Sequence, residues 1–314
     1  MEKTVDEDAL GKGLSLMYTS SRNNVKFFVN HGNEYDTIEF KSPKPSGDPI
    51  VDHAKALFFK SKADKGALIF VHGTGQRNFE PLEYYPKFFS KSGYSTIMPV
   101  LPYHFERTPE GKKSGMSFIK GTDVELSKRF DQAVTDVLTC IDYLEKVGFK
   151  KVNIMGFSFG GMISTIAMAI DHRIEKGIFV VTGGNYEYIT WKSVATKILR
   201  VSYEENKACN PAECALKHFN FDKIAMNFTS LDDLKDMPVC FTYDPSIFAH
   251  LIPPRKTLFF NALFDFFIPK ASSDDLWEKM GKPRRYMLPS GHLSAHLFFK
   301  KFIAKKSLNF LNGT

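Results

Sequence analysis

Lys151-Val152-Asn153-Ile154-Met155-Gly156-Phe157-Ser158-Phe159-Gly160-Gly161 is the stretch that decides the fold. Residues 151–155 read as a short buried strand, with Val152, Ile154 and Met155 apolar. Residues 160–170 continue as an apolar segment of helical length. Between them, Gly156-x-Ser158-x-Gly160 sets a serine on a sharp strand-to-helix turn. A serine hydroxyl is a poor nucleophile until it is exposed beside a base. The turn supplies the exposure, and small residues on either side let strand and helix pack closely. An ordinary glycine-rich turn uses the same letters, so the flanking strand and helix carry the functional reading.

The same alternation extends outward in both directions. Upstream, residues 67–71 (Ala-Leu-Ile-Phe-Val) are another continuous apolar run, followed by a helical pattern at 81–90 and a strand at 94–100. Residues 123–147 carry helical periodicity through Val134, Leu138, Ile141 and Leu144. Downstream come a strand at 178–181, a strand at 256–263, a helix at 272–281, a strand at 284–288 and a last helix at 294–311. Strands alternating with helices imply a mostly parallel sheet covered on both faces. Residues 36–40 alternate polar and apolar, and with 54–59 they suit an antiparallel pair at the sheet edge. The alternation lapses over 185–238, where helix-like pieces such as 191–201 and 232–236 are separated by polar breaks and Pro211. The chain therefore divides into an N-terminal extension (1–35), a core (36–184 and 239–314) and an insertion (185–238).

Three further positions complete the chemistry that Ser158 needs. His72-Gly73-Thr74-Gly75 follows the run at 67–71, and its glycines allow a tight turn that presents backbone N–H groups. Such donors stabilise the oxyanion of a tetrahedral intermediate; the expected pair is Thr74 and Phe159. His72 reads as a residue orienting this loop. For the base, His292 in the loop 289–292 after the last strand is preferred over His296, placed inside the final helix. For the acid that orients the imidazole, Asp265 sits at the end of the 256–263 strand among Phe264, Phe266 and Phe267, where an unpaired carboxylate is costly. Its alternative as a helix N-cap is better served by Ser272 and Ser273, with Asp274 and Asp275 in the first turn of that helix. Asp244, before Pro245, is the rival acid and reads as a loop brace.

Composition narrows the rest. The hydrophobic fraction is 43% of 314 residues, enough for a sizeable core and ordinary for a globular chain. The net charge is +7, but Lys and Arg are spread along the chain, and no aromatic-interleaved basic module points to nucleic acid. The densest groups, Lys300-Lys301 and Lys305-Lys306, suit a solvated helix face. No run of about 18 apolar residues predicts stable membrane insertion. The opening residues 1–8 are acidic and lack a signal-type apolar core, which suggests a cytoplasmic protein. Cys209 and Cys214 are close in sequence, yet no further Cys/His pair at ligand spacing completes a metal site, and Cys140 and Cys240 read as small core residues. Composition is silent on oligomeric state.

With these residues in place the chain resembles the α/β-hydrolase superfamily from about Asp36 to its end. The order Ser158, Asp265, His292 matches that superfamily, as do the His-Gly loop before the elbow and the acid after the penultimate strand. Within it the chain looks most like the dienelactone-hydrolase and acetyl-xylan-esterase-like branch, on Leu101-Pro102-Tyr103-His104-Phe105-Glu106-Arg107 and Pro253-Pro254-Arg255. It departs from true dienelactone hydrolases in having no cysteine at the elbow, and from large oligopeptidases in lacking a propeller before the core. The resemblance implies an α/β-hydrolase fold, a cap over the site at 185–238, and a carboxylesterase-like serine hydrolase (EC 3.1.1 class). Its substrate would be a small-molecule ester, with no metal and no organic cofactor. A thioesterase or acyltransferase on the same triad, and a non-catalytic binding protein on the same scaffold, remain open alternatives.

Overall fold

The computed structural model describes residues 17–75 and 78–314. The acidic opening and the first 16 residues of the expected N-terminal extension lie outside the described residues. The strands are β1 (Phe28–Asn30), β2 (Asp36–Lys41), β3 (His53–Phe59), β4 (Gly66–Val71), β5 (Tyr94–Pro99), β6 (Val152–Phe157), β7 (Ile174–Val180), β8 (Thr257–Ala262) and β9 (Arg284–Leu288). The helices are α1 (Pro49–Asp52), α2 (Tyr84–Lys91), α3 (Asp123–Lys146), α4 (Phe159–Ile170), α5 (Tyr186–Lys192), α6 (Lys197–Asn206), α7 (Pro211–His218), α8 (Phe221–Asn227), α9 (Pro245–Phe248), α10 (Lys270–Lys279) and α11 (His292–Asn312).

Among the described residues the strands form one nine-stranded sheet in the order β1-β2-β3-β5-β4-β6-β7-β8-β9. The pairs β1/β2, β2/β3 and β3/β5 are antiparallel, and every pair from β5 to β9 is parallel. All six residues of β6 are buried, as the middle strand of a sheet covered on both faces requires. One face packs α3, α4 and α10 through Phe130, Val134, Val137, Ile163, Ile166 and Leu276. The other packs α2 and α11 through Tyr85, Phe89, Ala295, Ile303 and Leu311. The 24-residue α3 starts on a capping box, with the Thr122 hydroxyl and the Glu125 carboxylate satisfying each other's backbone N–H groups. Among the described residues no helix is long and apolar enough to cross a membrane.

Several boundaries differ from the sequence expectation, each for a local reason. An extra edge strand, β1, pairs outside β2; it is three residues long and exposed, so it carries no burial pattern to read. The helix expected at 191–201 is broken between α5 and α6. There the Ser193 hydroxyl donates to the Phe267 carbonyl (2.5 Å) and the Thr196 hydroxyl to that of Ile189 (2.7 Å). The helix expected from 272 starts at Lys270 with Pro269 as its N-cap residue, so Ser272 and Ser273 do not cap it. Both are buried inside it, where Ser272 donates to the Gly184 carbonyl (2.7 Å). Asp274 and Asp275 consequently fall beyond the first turn. Asp274 pairs with Arg285 (2.7 Å) and Asp275 with Lys279 (2.5 Å).

Candidate active site

The four segments expected to carry chemistry leave the sheet at the carboxyl ends of parallel strands, where ligands bind in open α/β sheets. Thr74 follows β4, Ser158 follows β6, Asp265 follows β8 and His292 follows β9. Ser158 has φ 54° and ψ −120°, a conformation that costs a non-glycine residue about 1–3 kcal/mol. Two backbone hydrogen bonds hold it there: its N–H donates to the Val180 carbonyl (2.8 Å), and Gly161 N–H donates to its carbonyl (2.8 Å). The turn also demands close approach. A Cβ at Gly160 would run into the carbonyl oxygens of Val71 and His72, and one at Gly156 into the backbone of Gly160 and Gly161.

Asp265 and His292 are brought together because the segments after β8 and β9 are stitched to each other. Leu263 N–H donates to the Leu288 carbonyl (3.0 Å) and Phe264 N–H to that of Ser290 (3.0 Å). The Asp265 carboxylate accepts from Phe267 N–H (2.9 Å) and Ile268 N–H (2.8 Å) through Oδ1. Its Oδ2 accepts from His292 Nδ1 (2.8 Å). A carboxylate beside Nδ1 places that nitrogen's proton between them, so neutral His292 presents Nε2 as an acceptor. Nε2 stands 2.8 Å from Ser158 Oγ, which donates to it. The His292 and Asp265 side chains are only 7% and 6% exposed.

The structure corrects two parts of the sequence reading here. His292 is not on a loop: it is the first residue of α11. His296 lies one turn further along the same helix and donates through Nε2 to the Pro81 carbonyl (3.0 Å), away from Ser158. Nor do three phenylalanines enclose Asp265. Phe264 and Phe266 are 63% and 72% exposed, while Phe267 stacks on the His292 ring with centroids 5.1 Å apart.

Asp244 is not at this site. It caps α9 and accepts from Asn185 N–H (2.9 Å), Tyr186 N–H (2.6 Å) and Ser246 N–H (2.9 Å), which ties the start of α5 to α9. Complete burial outweighs those donors and pushes its carboxyl up to about 7.

The loop carrying Thr74 rests on two buried histidines. Leu101 N–H donates to His72 Nε2 (3.1 Å), so His72 Nδ1–H donates to the Gly73 carbonyl (2.7 Å). His104 Nδ1–H donates to the Pro102 carbonyl (2.8 Å), which leaves Nε2 to accept the Thr74 hydroxyl proton (3.1 Å). Burial pulls His72 down to about 4 and His104 to about 3, so both are neutral near pH 7. Beside them Arg107, fully buried, pairs with Asp136 (2.7 Å) and donates to the carbonyls of Val51 and Val100. Sequence reasoning gave His104 and Arg107 no role. Their partners lie up to 56 residues away, and no periodicity marks them.

Ser158, Thr74, Phe159 and His292 open onto a cavity of about 230 Å³. Its walls are largely apolar, with Leu126, Phe130, Met162, Ile189 and Leu199 prominent. Cys209 and Cys214 are free thiols; His218, one turn beyond Cys214, donates through Nδ1 to the Cys214 carbonyl (2.9 Å). Among the described residues no group of His, Cys, Asp or Glu could hold a metal ion.

Residues 66–201 match the family model for the alpha/beta hydrolase fold. That match spans 136 of the 314 residues, and with the sheet order above it gives the chain the α/β-hydrolase fold. A mouse protein described as a serine hydrolase, BPHL, is 26% identical over 170 residues, 52% of this chain and 56% of that one. The chain thus spans about half the length of this curated relative. Among solved structures, an acetyl xylan esterase from Paenibacillus sp. R4 superposes with a TM-score of 0.61 at 14% identity, over 97% of this chain and 96% of its own. TT1662 from Thermus thermophilus gives 0.55 at 15%, over 92% and 98%. The acylaminoacyl peptidase of Pyrococcus horikoshii gives 0.57 at 14%, over 99% of this chain but 44% of its own. At these identities the structural likeness establishes the hydrolase fold, and the chemistry must be argued from the site itself.

Proposed function

We propose that this α/β-hydrolase is a serine hydrolase that cleaves a carboxylic ester through an acyl-enzyme. The observation that carries the reading is the unbroken relay Asp265–His292–Ser158, with both links at 2.8 Å, at the mouth of an apolar cavity. His292 Nε2 takes the Ser158 proton as Oγ bonds to the ester carbonyl carbon. The negative charge that develops on the carbonyl oxygen is met by the N–H groups of Thr74 and Phe159. Phe159 suits this role because it is the first residue of α4, where an N–H has no intrahelical acceptor and the helix dipole is positive. His292 then protonates the departing alkoxide as the carbon–oxygen bond breaks. A water, deprotonated by the same imidazole, releases the acid and restores Ser158. Asp265 stays ionised throughout and fixes the tautomer.

Residues 185–238 act in this reading as a cap, since Ile189, Ser193, Ala195, Thr196 and Leu199 line the cavity. The free thiols of all four cysteines fit a reducing compartment such as the cytoplasm.

The test is labelling with a fluorescent fluorophosphonate, mass mapping of the labelled residue, and turnover of p-nitrophenyl esters. Labelling at Ser158 is expected. Ser158→Ala should abolish it and lower kcat by at least about 10⁴-fold with an unchanged melting transition. Turnover retained in that variant would end the proposal. A folded protein that neither labels nor turns over would move the reading to a binding protein on this scaffold.

A further inference from the structure

We infer that the substrates are esters of an uncharged, apolar acyl chain of medium length, and that this chain lies in the cavity between α3, α4 and the α5–α6 segment. The inference rests on Ser158 being the nucleophile and His292 the proton donor to the leaving group. His292 must hand its proton to the departing oxygen, so the alcohol leaves on the His292 side, towards Phe267 and Leu293. The acyl substituent then points the opposite way. In that direction the walls are Leu126 and Phe130 of α3, Met162 of α4, Ile189 of α5 and Leu199 of α6, all from the core on the sheet face away from α11.

Size and polarity then define the chain. The cavity of about 230 Å³ includes the side towards Phe267 and Leu293, so the part left for the acyl chain holds at most roughly seven groups of the size of a water or a methylene. Among the described lining residues there is no Lys, Arg, Asp or Glu. The hydroxyls that reach the wall from Ser193 and Thr196 are already committed to the carbonyls of Phe267 and Ile189. The Tyr186 hydroxyl, which meets only the Met162 sulfur (3.8 Å), is a neutral donor and carries no charge to pair with a charged terminus, and burying one without a charged partner is costly.

The experiment is kcat/KM for p-nitrophenyl esters from acetyl to dodecanoyl, with one ω-carboxylated ester of octanoyl length, always against Ser158→Ala. The expected profile rises about fourfold per methylene, the factor that corresponds to burying one methylene, to an optimum beyond acetyl and no longer than about C8, and then falls. The ω-carboxylate should be at least about 100-fold poorer than its methyl-ended counterpart. Leu199→Trp should cut the octanoyl-to-acetyl ratio at least about 50-fold, by filling the pocket. Leu199→Ala, the variant to use if the tryptophan prevents folding, should move the optimum about two carbons longer. A flat profile, or one led by acetyl, with turnover still lost in Ser158→Ala, overturns this inference and leaves the serine-hydrolase reading standing. No Ser158-dependent turnover at any chain length overturns both.

Discussion

The elbow between β6 and α4 and the segment between β7 and β8 meet at one cavity, yet they are built in opposite ways. The elbow is fixed by backbone: Ser158 is held by the Gly161 N–H and by the Val180 carbonyl at the end of β7, and Gly160 packs against the carbonyls of Val71 and His72. The segment from α5 to α9 is a run of short helices, each below the length at which a helix is stable alone. It is held from a distance. The Tyr203 hydroxyl bonds Asp123 and Tyr243 bonds the same carboxylate (2.8 Å), Asp244 caps the start of α5, and Lys279 pairs with Asp222 (2.7 Å). It also leaves Leu216 and Phe219 about four-fifths exposed, at 79% and 83%. On the proposed reading reactivity belongs to the elbow, and the wall that would meet the acyl chain is shared between α3, α4 and the α5–α6 segment.

Two aspartates, Asp265 after β8, which reaches the elbow through His292, and Asp244 in the β7–β8 segment, give the largest test of this division. Asp265→Asn leaves the size of the side chain intact but removes the anion that fixes the His292 tautomer, and should lower kcat by up to about 10⁴-fold. Asp244→Asn changes a carboxylate that accepts from backbone N–H groups at the start of α5 and of α9. It should cost about 1–3 kcal/mol of stability, measured by urea unfolding, with kcat changed by less than about tenfold. A larger loss of kcat in Asp244→Asn than in Asp265→Asn would reverse the assignment of the acid.

The elbow's rigidity is tested at Gly160. An added methyl there meets backbone carbonyls of Val71 and His72, which cannot rotate aside as a side chain could. The helix start must shift, and with it both Phe159 N–H and Ser158. A displacement near 1 Å at reacting atoms costs about 10²-fold, so Gly160→Ala should lose about that in kcat. An active Gly160→Ala would show that the elbow is softer than its contacts imply.

The same contrast explains what could be read from sequence. Gly156-x-Ser158-x-Gly160 was legible because strand, turn and helix are adjacent, and each states its own periodicity. Asp265 and His292 were legible because each follows a recognisable strand; their pairing is the consequence of where β8 and β9 end. Elements whose cause lies elsewhere were not. The break after α5 exists because Ser193 finds a carbonyl at Phe267, 74 residues on. The helical position of His292 escaped notice because Gly291 precedes it with no side-chain acceptor at the cap; the hydroxyl of Ser294 instead accepts from Gly291 N–H (2.8 Å). His72 was legible as a loop residue, but the support it shares with His104 joins two strand ends 29 residues apart.

The smallest effect separates the two regions by acid. His72 and His104 beneath the elbow-facing loop are depressed to about 4 and about 3 by burial, against about 6.5 in the unfolded chain. Between those values the unfolded state binds protons that the folded state refuses. Their contribution is therefore complete above pH 6.5 and lost as pH falls, by about 4 kcal/mol for the pair between pH 7 and pH 5. Asp244 at the base of α5 has the opposite sign. Its folded value of about 7 stands above the unfolded one of about 3.9, so it takes up a proton on folding and adds about 2 kcal/mol over the same interval. These three groups together contribute a net loss of about 2 kcal/mol, to which His218 and His296, both lowered by burial, add in the same direction. Read from urea midpoints at pH 7 and pH 5, Asp244→Asn should deepen the loss by about 2 kcal/mol and His72→Asn should reduce it by about 2 kcal/mol. If instead neither substitution changes the pH slope, the buried groups on the two sides of the cavity are not what sets the acid limit of this fold.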